Sequence, residues 1–159
     1  MGIFDRAEEL LSTDPPDHGK MDPAWDYVGA QPKNSDKLRR RATCVVLKEG
    51  KVLLVRDKGK RSYSLPGGGI KHGEPSISAA ARELYEETGL RADKIERVMT
   101  HVGATQRHSV FLITAHHGEP RLKSEIDSLL WWNQGSSARV QDHVRTIIGK
   151  LEIETREQS

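Results

Sequence analysis

The apolar residues of the chain fall into short runs, and the spacing within each run predicts the element that it forms. Five runs of strand length, bounded by turn residues, predict β-strands over Thr43–Leu47, Lys51–Arg56, Ile95–His101, Ser109–His116 and Leu129–Trp132. Residues 48–50 are expected to form a tight turn between the first two strands. The glycine-rich run at 65–69 predicts a sharp loop.

Two segments have apolar residues at helical spacing and predict amphipathic helices. The first begins at Ser76, which we expect to cap it, runs to about Thr88 and stops at Gly89. The second runs from Ser137 to about Glu152. Strands mixed with two such helices predict an α/β or α+β domain whose helices pack on the sheet.

The first 37 residues differ from the rest of the chain in composition. A short helix is predicted over Ile3–Ser12, and Thr13–Lys37 is rich in Pro, Gly, Asp and Asn and predicts an extended arm. Trp25 and Tyr27 lie in this polar arm, and such aromatic side chains would dock onto the domain itself or onto a partner chain. We therefore predict an arm over residues 1–37 and a domain over residues 38–159, with a homodimer if the arm docks onto a partner.

Charge and cysteine content narrow the class of protein. The 159 residues carry 25 Lys plus Arg and 23 Asp plus Glu, a net charge of +2, so a dedicated nucleic-acid binder is not expected. No apolar stretch approaches the ~18 residues of a membrane span, and the first ten residues lack a signal-peptide pattern. The single cysteine, Cys44, allows no internal disulfide and fits a reducing compartment. We expect a cytoplasmic protein.

Three glutamates in the first predicted helix carry the clearest chemical signal. Glu83, Glu86 and Glu87 are spaced i, i+3 and i+4, which places them on one helical face, where their charges repel. Oxygen-only ligands suit Mg²⁺, with Mn²⁺ as a substitute. Taken alone, the pattern is more typical of a solvated acidic face. The glycine-rich approach and the small apolar opposite face favour a metal site.

The segment Gly68–Leu90, here called the box, resembles the signature of the Nudix hydrolases. Glu74 follows Gly68 after five residues, and the run Arg82–Leu90 follows after seven more, which meets every fixed position of that signature. Looser similarity extends over about residues 41–132. The resemblance implies an α/β/α sandwich with a mixed sheet and two main helices. It also implies hydrolysis of a nucleoside diphosphate linked to another group, a small-molecule phosphoanhydride.

The resemblance implies a role for each polar residue of the box. The divalent ions would be held by Glu83, Glu86, Glu87 and the main-chain carbonyl of Gly67, which directly precedes the box. Arg82 would orient the glutamates, Glu74 would brace Arg82, and Gly68 would let the backbone come close. A carboxylate would serve as general base. Glu83 is favoured and Glu86 is the second choice, so the expected catalytic set is Glu83, Glu86 and Arg82.

Candidates outside the box are weaker. Glu125 is expected to be a further metal ligand or the base, with Asp127 and Glu119 as rivals. A solvent-exposed loop acid is the alternative for each of them. Arg56 ends a predicted strand and either binds a substrate phosphate or forms a surface salt bridge.

Basic and histidine residues leave further alternatives open. Two basic clusters would attract an anionic substrate or only be solvated: Lys37, Arg39, Arg40 and Arg41, and Lys58, Lys60 and Arg61. His101 and His108 would face each other across a hairpin, where they either contact substrate or are ordinary strand residues. The alternative function is a Nudix-fold binding module without catalysis, in which eroded box glutamates would be expected. Nucleoside triphosphates, nucleotide sugars and inositol-type or capped substrates remain open.

Overall fold

Six strands form one mixed sheet in the computed structural model of the chain, which describes residues 38–123 and 125–151. The strands are β1 (Arg39–Lys48), β2 (Lys51–Asp57), β3 (Gly67–Gly69), β4 (Arg91–Val102), β5 (Gln106–His117) and β6 (Ile126–Trp132). They lie in the order β4-β5-β1-β2-β6, and β3 pairs with β1 outside this path. β1 and β5 run parallel, whereas the other pairs are antiparallel.

Two helices of the described residues cover opposite faces of this sheet, α1 (Ser76–Thr88) and α2 (Asp142–Lys150). The core beneath α1 includes Ala42, Cys44, Ala79, Ala80, Leu84 and Phe111. The core beneath α2 includes Val45, Val110, Leu112, Val144, Ile147 and Ile148. β1 contributes to both cores because successive side chains of a strand point to opposite faces. The predicted α/β/α sandwich with a mixed sheet is therefore confirmed. No helix in this part of the chain is both long and apolar enough to cross a bilayer.

Three sequence predictions about local structure were wrong. The second helix begins at Asp142 instead of Ser137, because the residues before it are held in extended backbone. There Tyr63 receives a hydrogen bond from the Gln141 N–H (2.9 Å) and donates its own N–H to the Arg139 carbonyl (2.9 Å). Ser76 is the buried first residue of α1, and the capping position belongs to Pro75.

The glycine-rich run also differs from the predicted loop. Gly67–Gly69 is strand β3, because its backbone pairs with residues 41–43 of β1. Strands β1, β4, β5 and β6 extend beyond their predicted ends, since main-chain pairing continues past the apolar run that made each strand recognisable. The stop of α1 at Gly89 is confirmed by its left-handed φ of 79°. The predicted N-terminal arm, with its helix and its aromatic residues Trp25 and Tyr27, lies outside the described residues, as does Glu152.

Replacing Gly67 by alanine should destabilise the fold. Its φ of 153° is one that residues with a side chain rarely adopt, and a Cβ there would overlap the carbonyl oxygen of Ala42 on β1. We expect Gly67→Ala to lower the free energy of unfolding by roughly 1–3 kcal/mol in urea denaturation. Gly69→Ala is the matched control, because a Cβ at Gly69 would meet no atom within 4 Å. Equal stability of the two variants would contradict the close pairing of β3 with β1.

Candidate active site

Arg82 is the centre of the hydrogen-bond network of the box. Its Nε and Nη2 donate to the two carboxylate oxygens of Glu74 (2.8 and 2.9 Å). Its Nη1 donates to Glu83 (2.8 Å) and to Glu86 (3.2 Å), and Nη2 also donates to the Gly69 carbonyl (3.1 Å). A planar guanidinium is suited to such a fork of bonds. The Arg82 side chain therefore contacts two acidic side chains of its own helix, α1. It also links that helix to strand β3 and to the loop that precedes the helix.

The pair of Arg82 and Glu74 is more than a surface salt bridge. The two side chains are only 21% and 15% exposed, so solvent screens their charges less than on an open surface. Glu74 also accepts a hydrogen bond from the Lys71 N–H (3.0 Å), which fixes it to its own loop. The hydrogen bonds from Arg82 hold the pKa of Glu74 below its usual range. Glu74 thus remains an anion that keeps Arg82 in place.

Two glutamates of α1 lie directly against the glycine backbone. Glu87 accepts a hydrogen bond from the Gly67 N–H (2.6 Å). Burial raises the pKa of Glu87 to about 8, although the Gly67 N–H and the charge of Arg41 both act in the opposite direction. The Glu83 carboxylate fills the space where a side chain at Gly68 would have to lie. A side chain at position 68 would therefore force the Glu83 carboxylate to move away from the glycine backbone.

The donor chemistry of this cluster fits a hard divalent cation. Glu83, Glu86 and Glu87 supply only carboxylate oxygens, and the backbone of Gly67 is adjacent. Within residues 38–123 and 125–151, however, no three Asp, Glu, His or Cys side chains converge as a set of ligands to one ion. Glu83 and Glu86 instead accept hydrogen bonds from Arg82, and Glu87 accepts one from Gly67. The raised pKa of Glu87 marks a carboxylate that a nearby cation would stabilise.

The candidates outside the box do not join this network. Arg56 forms a salt bridge with Asp127 (2.9 Å), which is one of the two alternatives that the sequence left open. Its guanidinium also lies 5.2 Å from the ring centre of Tyr63. Glu125 is exposed, and its carbonyl accepts a hydrogen bond from the Lys58 N–H (3.0 Å). Glu119 is exposed on the loop after β5. A phosphate contact of Arg56 and a metal contact of Glu125 remain predictions.

Comparison with known families agrees with the geometry of the box. The family model of the NUDIX domain matches residues 37–137, which is most of the chain. The chain belongs to the Nudix family. The resemblance inferred from the box is therefore confirmed.

Curated relatives match part of this Nudix chain. An RNA pyrophosphohydrolase from Shewanella piezotolerans is 36% identical over 64 residues, which cover 40% of this chain and 37% of that protein. Phosphatase NudJ from Escherichia coli is 42% identical over 60 residues, which cover 36% of this chain and 39% of that protein. The match thus spans about two fifths of the length of these relatives.

Solved Nudix structures share the fold over a longer stretch. A Nudix hydrolase family member from Chromobacterium violaceum is 28% identical with a TM-score of 0.66, covering 77% of this chain and 79% of that one. The MutT NUDIX hydrolase from Burkholderia pseudomallei is 26% identical with a TM-score of 0.61, covering 72% of this chain and 96% of that one. Both support the family and its sandwich architecture.

A cavity of about 540 Å³ lies on the α2 side of this Nudix domain. Its wall includes the turn between β4 and β5, residues 139–143 before and within α2, and three histidines. His101 pairs with His108 across the hairpin, as predicted, with ring centres 5.5 Å apart. His143 stacks on His108 at 5.0 Å. The Nδ1 of His108 shares a hydrogen bond with the Thr43 hydroxyl (2.8 Å).

Burial keeps these imidazoles uncharged. It lowers the pKa of His108 to about 3, and the charge of Arg41 and the neighbouring His143 ring act in the same direction. It also lowers the pKa of His143 to about 4, with Arg41 and His101 adding to the effect. The pKa of His101 falls for the same reason and because Lys150 is near. The cavity therefore presents neutral ring surfaces at neutral pH.

His143 was not predicted from the sequence to belong to a site. A signal was present, because His143 precedes Ile147 by four residues and so shares a helical face with a buried side chain. Its partners, by contrast, come from the distant β4–β5 hairpin and could not be read from local spacing.

Acid should destabilise the protein through the buried histidines. Their pKa is lower in the folded state than the ordinary value of 6.5, so their contribution to stability is complete above pH 6.5 and is lost as the pH falls towards 4. We expect His143→Gln to flatten the fall in unfolding free energy between about pH 6.5 and 5 by up to about 1.4 kcal/mol per pH unit. Urea denaturation at several pH values measures it. His72→Gln, at an exposed histidine, is the control, and an unchanged slope in His143→Gln would refute the partial burial of the His143 ring.

Proposed function

We propose that this Nudix protein is a Mg²⁺-dependent pyrophosphohydrolase that cuts the diphosphate linkage of a small-molecule, nucleoside-diphosphate-type substrate. The observation that carries the proposal is the Arg82 network, in which one guanidinium contacts Glu74, Glu83, Glu86 and the Gly69 carbonyl at the same time. Such a network positions the carboxylates of a helix beside a glycine backbone that a phosphate can approach.

Glu83, Glu86, Glu87 and the Gly67 carbonyl would hold the cation, with Mn²⁺ as a substitute for Mg²⁺. When bound, the ion would neutralise phosphate charge and lower the pKa of a bound water. The raised pKa of Glu87 supports this role, because a cation would favour its ionised form. Glu125 remains a candidate for an additional ligand.

Glu83 is our preferred general base, and Glu86 is the alternative. One oxygen of Glu83 accepts a hydrogen bond from Arg82, and the other would take a proton from the water that attacks phosphorus. The attack breaks the bond from that phosphorus to the bridging oxygen, and the phosphate on the far side leaves. Arg82, held by Glu74, keeps the base in one orientation throughout.

The substrate class stays broad in this proposal. One relative is named an RNA pyrophosphohydrolase, so RNA with a 5′-triphosphate belongs in any test alongside nucleoside triphosphates and nucleotide sugars. The net charge of +2 argues against extended contact with nucleic acid. Arg56 would reach a phosphate only by leaving Asp127. The cavity on the α2 side is large enough to hold part of the substrate.

We place the activity in the cytoplasm. Cys44, the single cysteine of the sequence, is a buried free thiol, which is compatible with a reducing compartment. A homodimer formed through the arm with Trp25 and Tyr27 stays a prediction from the sequence. The alternative function, a Nudix-fold binding module without catalysis, is disfavoured because Glu83, Glu86 and Glu87 are all retained.

A phosphate-release assay on a panel of nucleoside triphosphates, oxidised nucleotides, nucleotide sugars and 5′-triphosphate RNA tests the proposal. We expect at least one substrate to be hydrolysed with Mg²⁺ and not with EDTA. Glu83→Gln should lower kcat by about 10²–10⁴-fold, because it removes the base and a charged ligand. Glu49→Gln, the same charge change in the exposed β1–β2 turn, should not.

Two outcomes would contradict parts of this proposal, the enzymatic activity and the role of Glu83. No turnover of any substrate by the wild type would favour the binding module. Normal turnover by Glu83→Gln would remove Glu83 from the site.

A further inference from the structure

Arg41 lies between the box and the histidine cavity. In the sheet it pairs with Gly69 of β3 on one side and with His108 of β5 on the other. Its charge reaches both neighbours, since it opposes the rise that burial causes in the pKa of Glu87 and adds to the fall that burial causes in the pKa of His143. The register of the sheet therefore places Arg41 between the box strand β3 and the histidine-bearing strand β5.

Within the part of the chain that the structure describes, the guanidinium of Arg41 makes one hydrogen bond. Its Nη2 donates to the Leu65 carbonyl (3.1 Å), but its Nε is buried without an acceptor among the described residues. It forms no ion pair with any carboxylate of residues 38–123 and 125–151. A guanidinium has five N–H donors, and a half-buried cation without an anionic partner is unfavourable. Among residues 38–123 and 125–151, no carboxylate therefore neutralises Arg41 through an ion pair.

Two other arginines close to the box are already engaged in ion pairs. Arg82 is bound by Glu74, Glu83, Glu86 and the Gly69 carbonyl. Arg56 is bound by Asp127. Recruiting either one to a phosphate would break an existing ion pair, whereas Arg41 has no ion pair to break among the described residues.

We propose that Arg41 is the arginine that binds the diphosphate of the substrate, contacting a phosphate in a bidentate manner on the side of the site that faces the histidine cavity. The inference rests on the proposed function. The box glutamates and their cation would take one side of the diphosphate, and Arg41 would take the other. Arg–phosphate pairs of this kind add geometric specificity as well as charge. Arg41 would thereby fix which end of the substrate points into the cavity.

Calorimetric binding of methylenediphosphonate, whose P–C–P bridge cannot be hydrolysed, tests this role without turnover. The titration is run with excess Mg²⁺ and again with EDTA. Arg41→Gln keeps a donor for the Leu65 carbonyl but removes the charge. We expect it to bind at least about tenfold more weakly than the wild type in the presence of Mg²⁺. Arg39→Gln, the same change two residues earlier at an exposed position, should bind like the wild type.

Equal affinity of Arg41→Gln and the wild type, or no binding by the wild type in either buffer, would overturn the proposal. If Arg41→Gln does not fold, Arg41→Lys replaces it. Lysine keeps the charge but cannot form the bidentate contact, so unchanged affinity would again overturn the proposal. This result can be separated from that of the substrate panel. Binding that depends on Arg41 without hydrolysis of any substrate would refute the proposed enzymatic function but would still support an anion-binding site at Arg41.

Discussion

The fork of hydrogen bonds between Arg82 and Glu74 is the constraint on which the site depends. Glu74 is fixed to its loop by the Lys71 N–H, and Arg82 is carried by α1, so the pair locks the loop to the helix. The same guanidinium reaches β3 through the Gly69 carbonyl. Helix, loop and strand are thus held in one relative position, and the acidic face of α1 is aimed at the glycine backbone.

That arrangement brings like charges together, and the domain offsets their repulsion in two ways. Arg82 supplies a positive charge to Glu83 and Glu86. Among the described residues, Glu87 is offset by the Gly67 N–H and by the charge of Arg41, and its burial leaves the pKa raised to about 8. Metal-free protein should therefore become less stable as the pH rises from about 4.5 through 8, because ionising Glu87 is harder in the folded state. The incomplete neutralisation of Glu87 is what a divalent cation would complete.

Much of this could be predicted from the sequence, because the information is local. The spacing of Glu83, Glu86 and Glu87 fixes their common face through the geometry of the helix alone. Strand positions followed from apolar runs, and the sandwich followed from strands mixed with amphipathic helices. The left-handed stop at Gly89 was likewise a local property of one residue.

What could not be predicted depends on contacts between distant segments. The late start of α2 is set by Tyr63, nearly 80 residues earlier, through its bonds to Arg139 and Gln141. Strand β3 exists only because β1 lies beside it. The salt bridge of Arg56 joins β2 to β6, so no local pattern could decide between it and a phosphate contact. The lack of an ion pair for Arg41 among residues 38–123 and 125–151 likewise depends on the positions of distant segments.

The central claim is that the acidic face of α1 binds a divalent cation, and the thermal stability of Glu87→Gln with and without Mg²⁺ tests it most directly. At about pH 8.5, above the raised pKa of Glu87, the metal-free variant should melt at the same temperature as the wild type or higher. Millimolar Mg²⁺ should raise the melting temperature of the wild type, because the cluster forms only in the folded state, and should raise that of the variant much less. An equal rise in both proteins, or no rise in the wild type, would contradict the account.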